Sequence, residues 1–290
     1  MITSKLTQEQ INRSIELLNR IRSDEGELFP ECVDVTEGKQ KEYLENCVLR
    51  YFDDSDNCGI YISMVFFGSY RVFIAFENDT DKYVKELSEL ILLSKKQNPG
   101  SSPCVYFIGD QTKLIDSLNQ TVKFDQDNYY ASHEFIMDRE HFKGFVNDKQ
   151  LEIKPYEAVK IGDYAQLLDK AMTFVSPPTN FQGNTAGLAE KVDRVKENAF
   201  YTFYKDGELI GLYWLDNDFY TIYNLVVAPE YQRQGYGDII LSHAIDNVFT
   251  VQKHETAKLY CVDWNEKGLA FYKKYGMILK GHTYAVSLAE

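Results

Sequence analysis

Cysteine is scarce in this sequence of 290 residues, and no two cysteines form a Cys-x-x-Cys pair. The five are odd in number and widely spaced: Cys32, Cys47, Cys58, Cys104 and Cys261. This spacing argues against a disulfide framework and against a zinc site, and it is typical of buried thiols in a reducing compartment. The sequence therefore predicts a cytoplasmic protein.

Long hydrophobic runs are also missing. No apolar stretch reaches the roughly 18 residues that a membrane span requires, and the opening MITSKLTQEQ lacks the apolar segment of a secretory signal. The five histidines form neither a His-x-x-x-His nor a His-Glu-x-x-His pattern. We therefore expect no membrane partner and no metal ion.

Positive charge is in deficit. The chain has 31 lysines and arginines against 44 aspartates and glutamates, a net charge of −13. Nucleic-acid binding depends on cations that neutralise phosphates, so we expect no nucleic-acid partner. Hydrophobic residues make up 44% of the chain, which is enough for ordinary cores. At about 100–200 residues per domain, the length predicts two domains.

The order of predicted elements repeats once along the chain. Each half reads as two helices, antiparallel strands, a helix, a strand, a helix and a last strand, which predicts an α+β fold with a mixed sheet. The second helix of the first half is expected over about residues 39–51, and a final strand pair within residues 277–288. A polar stretch near residue 145 predicts the boundary between domains 1–144 and 145–290.

The most informative stretch joins a strand to a helix through two glycines. The strand YTIYNLVVAP leads into QRQGYG and then into the apolar helix DIILSHAIDNVF. Gly235 and Gly237 allow positive φ angles and a close approach of a ligand to the backbone. Free N–H groups at a helix start, together with the helix dipole, can bind an anion such as a pyrophosphate. Alone, this pattern is equally consistent with a tight strand–helix connection.

Two motifs in order resemble the GNAT superfamily of acyl-CoA-dependent N-acyltransferases. Its first signature is a strand ending V-x-P, then Q/R-x-x-G-x-G/A and a helix, matched here at residues 227–229 and 232–237. Its second signature is a strand ending in Asn before a helix with A-x-x-Y-x-x-x-G-F. The matching residues are Asn265, Ala270, Phe271, Tyr272, Gly276 and Met277, with one residue instead of two between Ala270 and Tyr272 and with Met in place of the usual Phe.

The resemblance covers about residues 151–290 and implies acetyl-CoA as co-substrate. The backbone of Leu225, Val226 and Val227 would hold the pantetheine arm. The strand would diverge from its neighbour and expose an N–H group to the thioester carbonyl. The pyrophosphate would be held by backbone N–H groups of the turn and the helix start, at Gln232, Arg233, Gln234, Gly235, Tyr236, Gly237 and Asp238. Asn265 would contact the pantetheine or order the end of its strand.

In the same family pattern, Tyr272 would protonate the departing thiolate of coenzyme A. A thiol with a pKa of about 8.5 can take a proton in the transition state from a phenol with a pKa of about 10. The alternative is an aromatic side chain that only packs under the short helix.

This sequence departs from the family at the base. Thr221 stands where family members that act on protonated amines often have Glu. Removing the proton from an amine of pKa about 10.4 at pH 7 costs about 4.6 kcal/mol. Asp216, Asp218 and Tyr223 lie nearby, but two turn acids and a strand aromatic are equally ordinary structural residues, so no base is assigned.

The first half lacks the glycine turn. Its corresponding strand is followed by Asn78, Asp79, Thr80 and Asp81, whose acids would repel a pyrophosphate. The chain thus resembles a tandem GNAT protein with a degenerate first domain. The resemblance implies transfer of an acetyl group to a primary amine of a small molecule or peptide, by a monomer or homodimer. A non-catalytic module that binds coenzyme A remains the alternative.

Overall fold

The computed structural model describes residues 7–22, 48–53, 57–66, 69–97, 104–173, 179–193, 198–216 and 220–289. The chain forms two compact units, one of Met1–Glu134 with Lys280–Glu290 and one of Phe135–Leu279. The end of the chain therefore belongs to the first unit. A division into functional domains at residue 145 stays a prediction.

The first unit is a mixed sheet with helices. Its described helices are α1 (Gln8–Ile21), α2 (Val84–Gln97) and α3 (Thr112–Val122). Its strands are β1 (Val48–Asp53), β2 (Cys58–Phe66), β3 (Ser69–Phe76), β4 (Cys104–Ile108), the first part of β5 (Phe124–Asp138) and most of β11 (Ile278–Leu288). The strand order is β1-β2-β3-β4-β11-β5. Strands β3 and β4 are parallel, whereas β1–β2, β2–β3 and β4–β11 are antiparallel.

The second unit has the same kind of architecture. Its described helices are α4 (Ile161–Ala171), α5 (Thr185–Asp193), α6 (Tyr236–Thr250) and α7 (Glu266–Tyr275). Its strands are the end of β5, β6 (Glu152–Pro155), β7 (Phe200–Lys205), β8 (Glu208–Leu215), β9 (Thr221–Val227) and β10 (Thr256–Val262). The order is β5-β10-β9-β8-β7-β6, with β9 parallel to β10 and antiparallel pairs from β6 to β9. The predicted α+β fold is confirmed, and from the antiparallel strands onward both units have the predicted order of a helix, a strand, a helix and a strand.

Helix α6 carries the largest block of core residues in the part of the second unit that the structure describes. Its apolar side chains Ile240, Leu241, Ala244 and Ile245 are fully buried. They join a core with side chains from β8, β9 and β10. This packing sets the position of the helix start relative to the end of β9. The glycine turn is therefore held between two rigid elements.

Short connections join the antiparallel strands. Asp206 and Gly207 form the turn between β7 and β8, with positive φ angles of 51° and 84°. Two such residues are what a type I′ hairpin requires. In the first unit, Phe66 at the end of β2 pairs with Ser69 at the start of β3.

Two expected elements differ from the structure. Residues 48–51, expected to end a helix, lie in strand β1, and residues 39–47 lie outside the described residues. The expected final strand pair is one continuous strand, β11. Gly281 makes no turn there, because it lies against the backbone of Ile21, where a β-carbon would collide.

The helices of the described ranges include none with both the length and the apolar character needed to cross a membrane.

Candidate active site

The central feature of the site is the early end of the pairing between strands β9 and β10. The two parallel strands pair at two positions, Thr221 with Lys258 and Ile222 with Leu259. Each strand continues for several residues beyond these pairs without further pairing to the other. The edge of β9 after Ile222 therefore faces β10 without ladder hydrogen bonds. This is the divergence that the family resemblance predicted.

A β-bulge lies in β9 at the same point. Trp214 of β8 pairs with Tyr223, and Leu212 pairs with Val226, so Asn224 and Leu225 together lie opposite one residue. Asn224 has a φ of 47°, a conformation that Asn tolerates better than most residues. A bulge redirects backbone groups and often accompanies active sites.

Strand β9 contains the three residues expected to hold pantetheine. Val226 is buried and pairs with Leu212, and Val227 pairs with Gly211. Leu225 is half-buried and belongs to the bulge. The structure thus places all three beside the gap between β9 and β10, although their contact with pantetheine stays a prediction.

The predicted glycine turn follows β9 and ends at the start of α6. Arg233 has a φ of 59° and Gly235 a φ of 86°. Gly235 is the N-cap of α6, and within the described residues no side chain accepts a hydrogen bond from the first N–H groups of this helix. These N–H groups are available to an anion, because the N-terminal N–H groups of a helix have no partner within it.

Two glutamine side chains of the turn stabilise its backbone by donating hydrogen bonds to carbonyl groups, so they do not occupy its N–H groups. The Nε2 of Gln232 donates to the carbonyl of Val227 at 3.0 Å, and the Nε2 of Gln234 donates to that of Glu230 at 2.8 Å. Tyr236 is buried, whereas Arg233 and Asp238 are exposed. Gly237 packs closely: a β-carbon there would lie 3.3 Å from the ring of Phe271 on α7.

Asn265 acts as the N-cap of α7. Its Oδ1 accepts a hydrogen bond from the N–H of Gly268 at 3.0 Å. This hydrogen bond orders the start of α7, and the expected ordering of the end of β10 stays a prediction. A contact with pantetheine stays a prediction.

Tyr272 lies in the last turns of α7, and its ring packs beside Phe135 and Phe271, with centroid distances of 5.7 Å and 5.3 Å. Burial, and then the nearby thiol of Cys261, raise the pKa of Tyr272 above its ordinary value. The phenol therefore keeps its proton at neutral pH. The residue that the resemblance named as the acid is in its acid form.

Sequence reasoning did not find Cys261 as a neighbour of this site. The thiol is buried in β10, and burial raises its pKa to about 11. It is therefore a neutral thiol at pH 7 and a poor nucleophile, since the thiolate is the reactive form. The alternation of apolar residues in β10 could have indicated that it faces the core.

The position at which the family often has a basic Glu is buried in this structure. Thr221 is buried, and Lys258, its partner on β10, is buried too, with its Nζ 2.9 Å from the hydroxyl of Tyr220. Asp216 follows β8, Tyr223 is exposed on β9, and Asp218 lies outside the described residues. Among the residues described here, no cluster of three or more histidine, cysteine, aspartate and glutamate side chains could hold a metal.

Comparison with known proteins agrees with this geometry. Residues 166–277 match the sequence model of the acetyltransferase (GNAT) family. No curated protein matches the sequence significantly. Residues 166–277 therefore have the sequence pattern of a GNAT acetyltransferase domain, and this family generally uses acetyl-CoA.

Solved structures extend the similarity in fold to the whole chain. A GCN5-related N-acetyltransferase from Sphaerobacter thermophilus has a TM-score of 0.59 at 10% identity, covering 97% of this chain and 93% of that one. A Drosophila protein scores 0.58 at 14% identity and covers 98% and 97%. A tandem GNAT protein from the clavulanic acid biosynthesis pathway scores 0.51 at 9% identity and covers 99% and 97%. The chain therefore has the fold of GNAT proteins, tandem members included.

Proposed function

We propose that this protein is an N-acetyltransferase that moves an acetyl group from acetyl-CoA to a primary amine. The observation that carries the proposal is the divergence of β9 from β10 next to the uncapped start of α6. A gap between two strands accepts an extended arm, and a helix start accepts phosphates. Both lie on one continuous segment, residues 221–238.

The donor fits the residues of this segment. Strand β9 stops pairing with β10 after Ile222, which leaves its backbone from Asn224 to Val227 for the amide groups of pantetheine. The positive φ of Gly235 and the absence of a capping side chain leave the first N–H groups of α6 for the pyrophosphate. Acetyl-CoA would supply an acyl group activated as a thioester.

Tyr272 is the proposed general acid. Its raised pKa keeps the phenol protonated, and no hydrogen-bond partner for its hydroxyl lies within the part of the chain that the structure describes. The hydroxyl can therefore donate to a thiolate that forms beside it. The backbone N–H groups at the bulge of β9 would stabilise negative charge on the thioester oxygen.

The amine attacks the thioester directly in this proposal. A covalent route would need a nucleophile in the site, and Cys261 is the nearest thiol. Because its pKa is raised to about 11, only a minute fraction is thiolate at pH 7. Direct attack requires no residue to carry the acyl group.

The acceptor must reach the site without its proton. The side chain of Thr221 cannot take a proton at pH 7, so the free-base form of the amine would be the reactive species. We propose a small-molecule or peptide amine as the acceptor. The oligomeric state proposed is a monomer or a homodimer.

The proposal is tested by the release of thiol from acetyl-CoA in the presence of a panel of primary amines. Turnover that depends on both substrates would support the enzyme. The second candidate, a module that binds coenzyme A without catalysis, is favoured by the absence of a carboxylate at Thr221. Saturable binding of coenzyme A with no turnover on any amine would favour that second function.

A calorimetric titration with coenzyme A adds a separate test. We expect one molecule per chain, bound by the second unit. Absence of binding would overturn both candidate functions.

A further inference from the structure

Two exposed aromatic side chains lie at one end of the sheet in the second unit. Of the tyrosine, phenylalanine and tryptophan side chains that the structure describes, only Tyr223 and Trp264 are exposed, at 38% and 40%. Tyr223 lies on β9, inside the sheet, whereas its partner on β8, Trp214, is only 6% exposed. An exposed ring on an interior strand indicates a hollow above it on that face of the sheet.

Tyr223 and the proposed acid lie on opposite faces of this sheet. Neighbouring residues along a strand point to opposite faces. Ile222 and Leu259 belong to the core under α6, and the ring of Tyr272 packs against the same core. The side chains of Tyr223 and Tyr260, the next residues of the two strands, therefore lie on the other face, against which α4 and α5 pack.

The two tyrosines also mark the point where β9 and β10 stop pairing. The last paired residues are Ile222 and Leu259, so Tyr223 and Tyr260 begin the two unpaired stretches. Because the strands are parallel, their carboxyl ends meet at one edge of the sheet, a common place for ligands. Trp264 follows the end of β10 at that edge. In the proposed function, the thioester of acetyl-CoA lies at the same place.

The position of the acid defines the side from which the amine attacks. Tyr272 would reach the departing sulfur from the α6 face, which leaves the face of Tyr223 for the amine. The amine nitrogen bonds to the acetyl carbon, the carbon–sulfur bond breaks with its electron pair on sulfur, and sulfur takes the proton of Tyr272. The nitrogen releases one proton to the solvent, and the solvent returns one to Tyr272. The group attached to the nitrogen then lies against Tyr223.

We propose that the acceptor is a small primary amine that carries an aromatic ring, and that this ring packs on Tyr223, with Tyr260 and Trp264 beside it. The inference rests on the proposed function, because it names the substrate class of the same site. Aromatic pairs are favoured beyond the apolar area that they bury, whereas a saturated group gains only from its burial. These side chains would therefore select a ring over a saturated group of equal size.

The test compares 2-phenylethylamine with 2-cyclohexylethylamine, which share one chain length and similar bulk but differ in aromaticity. The measured quantity is kcat/KM for each amine with acetyl-CoA and the full-length chain, referred to the concentration of free-base amine. We expect the wild type to favour the phenyl compound by about two- to tenfold, the effect of one aromatic contact. In Tyr223→Leu the ratio should fall toward one, and Tyr223→Phe should keep it.

Two further variants make the comparison specific. Trp264→Leu should lower the ratio less than Tyr223→Leu does, because Trp264 lies outside the two strands. Tyr201→Leu is the matched control, since Tyr201 lies on β7 of the same sheet but packs against the core under α6, and it should leave the ratio unchanged. A ratio of two amines is insensitive to a general loss of activity, so a partly destabilised variant still gives a valid result.

The outcomes separate this inference from the proposed function. If the wild type turns over both amines with equal kcat/KM, or if neither Leu variant at Tyr223 and Trp264 changes the ratio, the inference is wrong while the proposed function stands. A peptide amine used more efficiently than both small amines would also overturn it. If the wild type turns over no amine, the proposed function itself fails, and this inference fails with it.

Discussion

Both units contain a parallel strand–helix–strand crossover within their described residues, and the two crossovers differ in their pairing. In the first unit, β3 and β4 pair at five consecutive positions, from Arg71 with Cys104 to Ala75 with Ile108. In the second unit, β9 and β10 pair at two positions before they diverge. The two strands of the first crossover stay paired, whereas those of the second stop pairing after two positions.

The segments that follow β3 and β9 also differ. After β3, the carboxylate of Asp79 accepts hydrogen bonds from the N–H groups of Lys113 and Leu114 at the start of α3. The ring of Tyr83 packs on Phe52 and Phe76 just before α2. After β9, glycine and exposed polar residues leave the start of α6 uncapped.

The comparison identifies the features that would separate the proposed donor site from the same fold in the first unit. The sheet order and the crossover helix are common to both units. In the second unit, the early end of the pairing between β9 and β10, the bulge in β9 and the start of α6 without a capping side chain occur together. In the first unit β3 stays paired with β4, and Asp79 caps α3, which follows β4.

The largest effect is expected from Tyr272→Phe, which keeps the ring and its packing on Phe135 and Phe271. General acid catalysis contributes about 10²–10⁴-fold, so we expect kcat to fall by that factor while the affinity for coenzyme A is nearly unchanged. Steady-state kinetics and calorimetry measure the two quantities.

The loss should shrink for acyl donors whose thiol leaves more easily, because less proton donation is then needed. If Tyr272→Phe keeps the wild-type kcat under conditions where chemistry limits the rate, Tyr272 is not the acid and only packs against its neighbours.

Gly235→Val should close the phosphate site. A β-branched residue at a φ of 86° is strained, and its β-carbon would press on Lys149. Each charge-assisted hydrogen bond contributes about 1.5–3 kcal/mol, so the loss of two of them would weaken the binding of coenzyme A by at least about 100-fold. Calorimetry gives the affinity.

Gly207→Val is the matched control for backbone strain. Gly207 has a φ of 84° in the turn between β7 and β8, and this turn lies outside the proposed site. Similar thermal destabilisation in both variants, with binding lost only in Gly235→Val, would support the phosphate site. Normal binding by Gly235→Val would refute it.

The pH dependence of kcat/KM should show whether any residue acts as the base. If no residue deprotonates the amine, kcat/KM should rise about tenfold per pH unit toward the amine pKa of about 10.4. Burial raises the pKa of Tyr272, so the phenol stays protonated and no falling limb should appear below about pH 10. A pH–rate profile measures both limbs.

A plateau that starts near pH 7 would instead indicate a base, and a falling limb near pH 8–9 would indicate a different acid. Asp216→Asn would test the nearest described carboxylate in the sequence. An unchanged slope in that variant is expected.

The sequence predicted the turn and the fold because both depend on local chemistry. Gly235, Gly237 and the apolar face of α6 are properties of one segment, and Asp206 with Gly207 specify a hairpin by themselves. The bulge carried a weaker signal, an Asn inside a run of strand residues. It was missed because Asn224 also fits an ordinary strand.

Features that depend on distant residues were not accessible in this way. Lys149 reaches the turn because packing brings the segment before β6 to α6, about 85 residues further along the chain. Cys261 approaches Tyr272 through the pairing of β10 and the N-cap at Asn265. Strand β11 continues through Gly281 because Ile21 lies against it, and no local signal distinguishes this from a turn.

The smallest effect is expected from Asp79→Ala in the first unit. The carboxylate accepts from the N–H groups of Lys113 and Leu114 at 2.7 Å and 3.0 Å, a capping role that contributes about 0.5–2 kcal/mol. Denaturant unfolding should show a loss in that range. Asp81→Ala is the control, since its exposed ion pair with Lys113 contributes little.

The same variant separates two explanations for the closed first crossover. Asp79→Ala removes the acid, but the five paired positions of β3 and β4 and the packed ring of Tyr83 stay in place. Because an extended arm needs an unpaired strand edge, the titration should still saturate at one coenzyme A per chain. A second molecule bound by Asp79→Ala would show that charge alone closes the first unit, and the contrast in strand pairing would then have no bearing on donor binding.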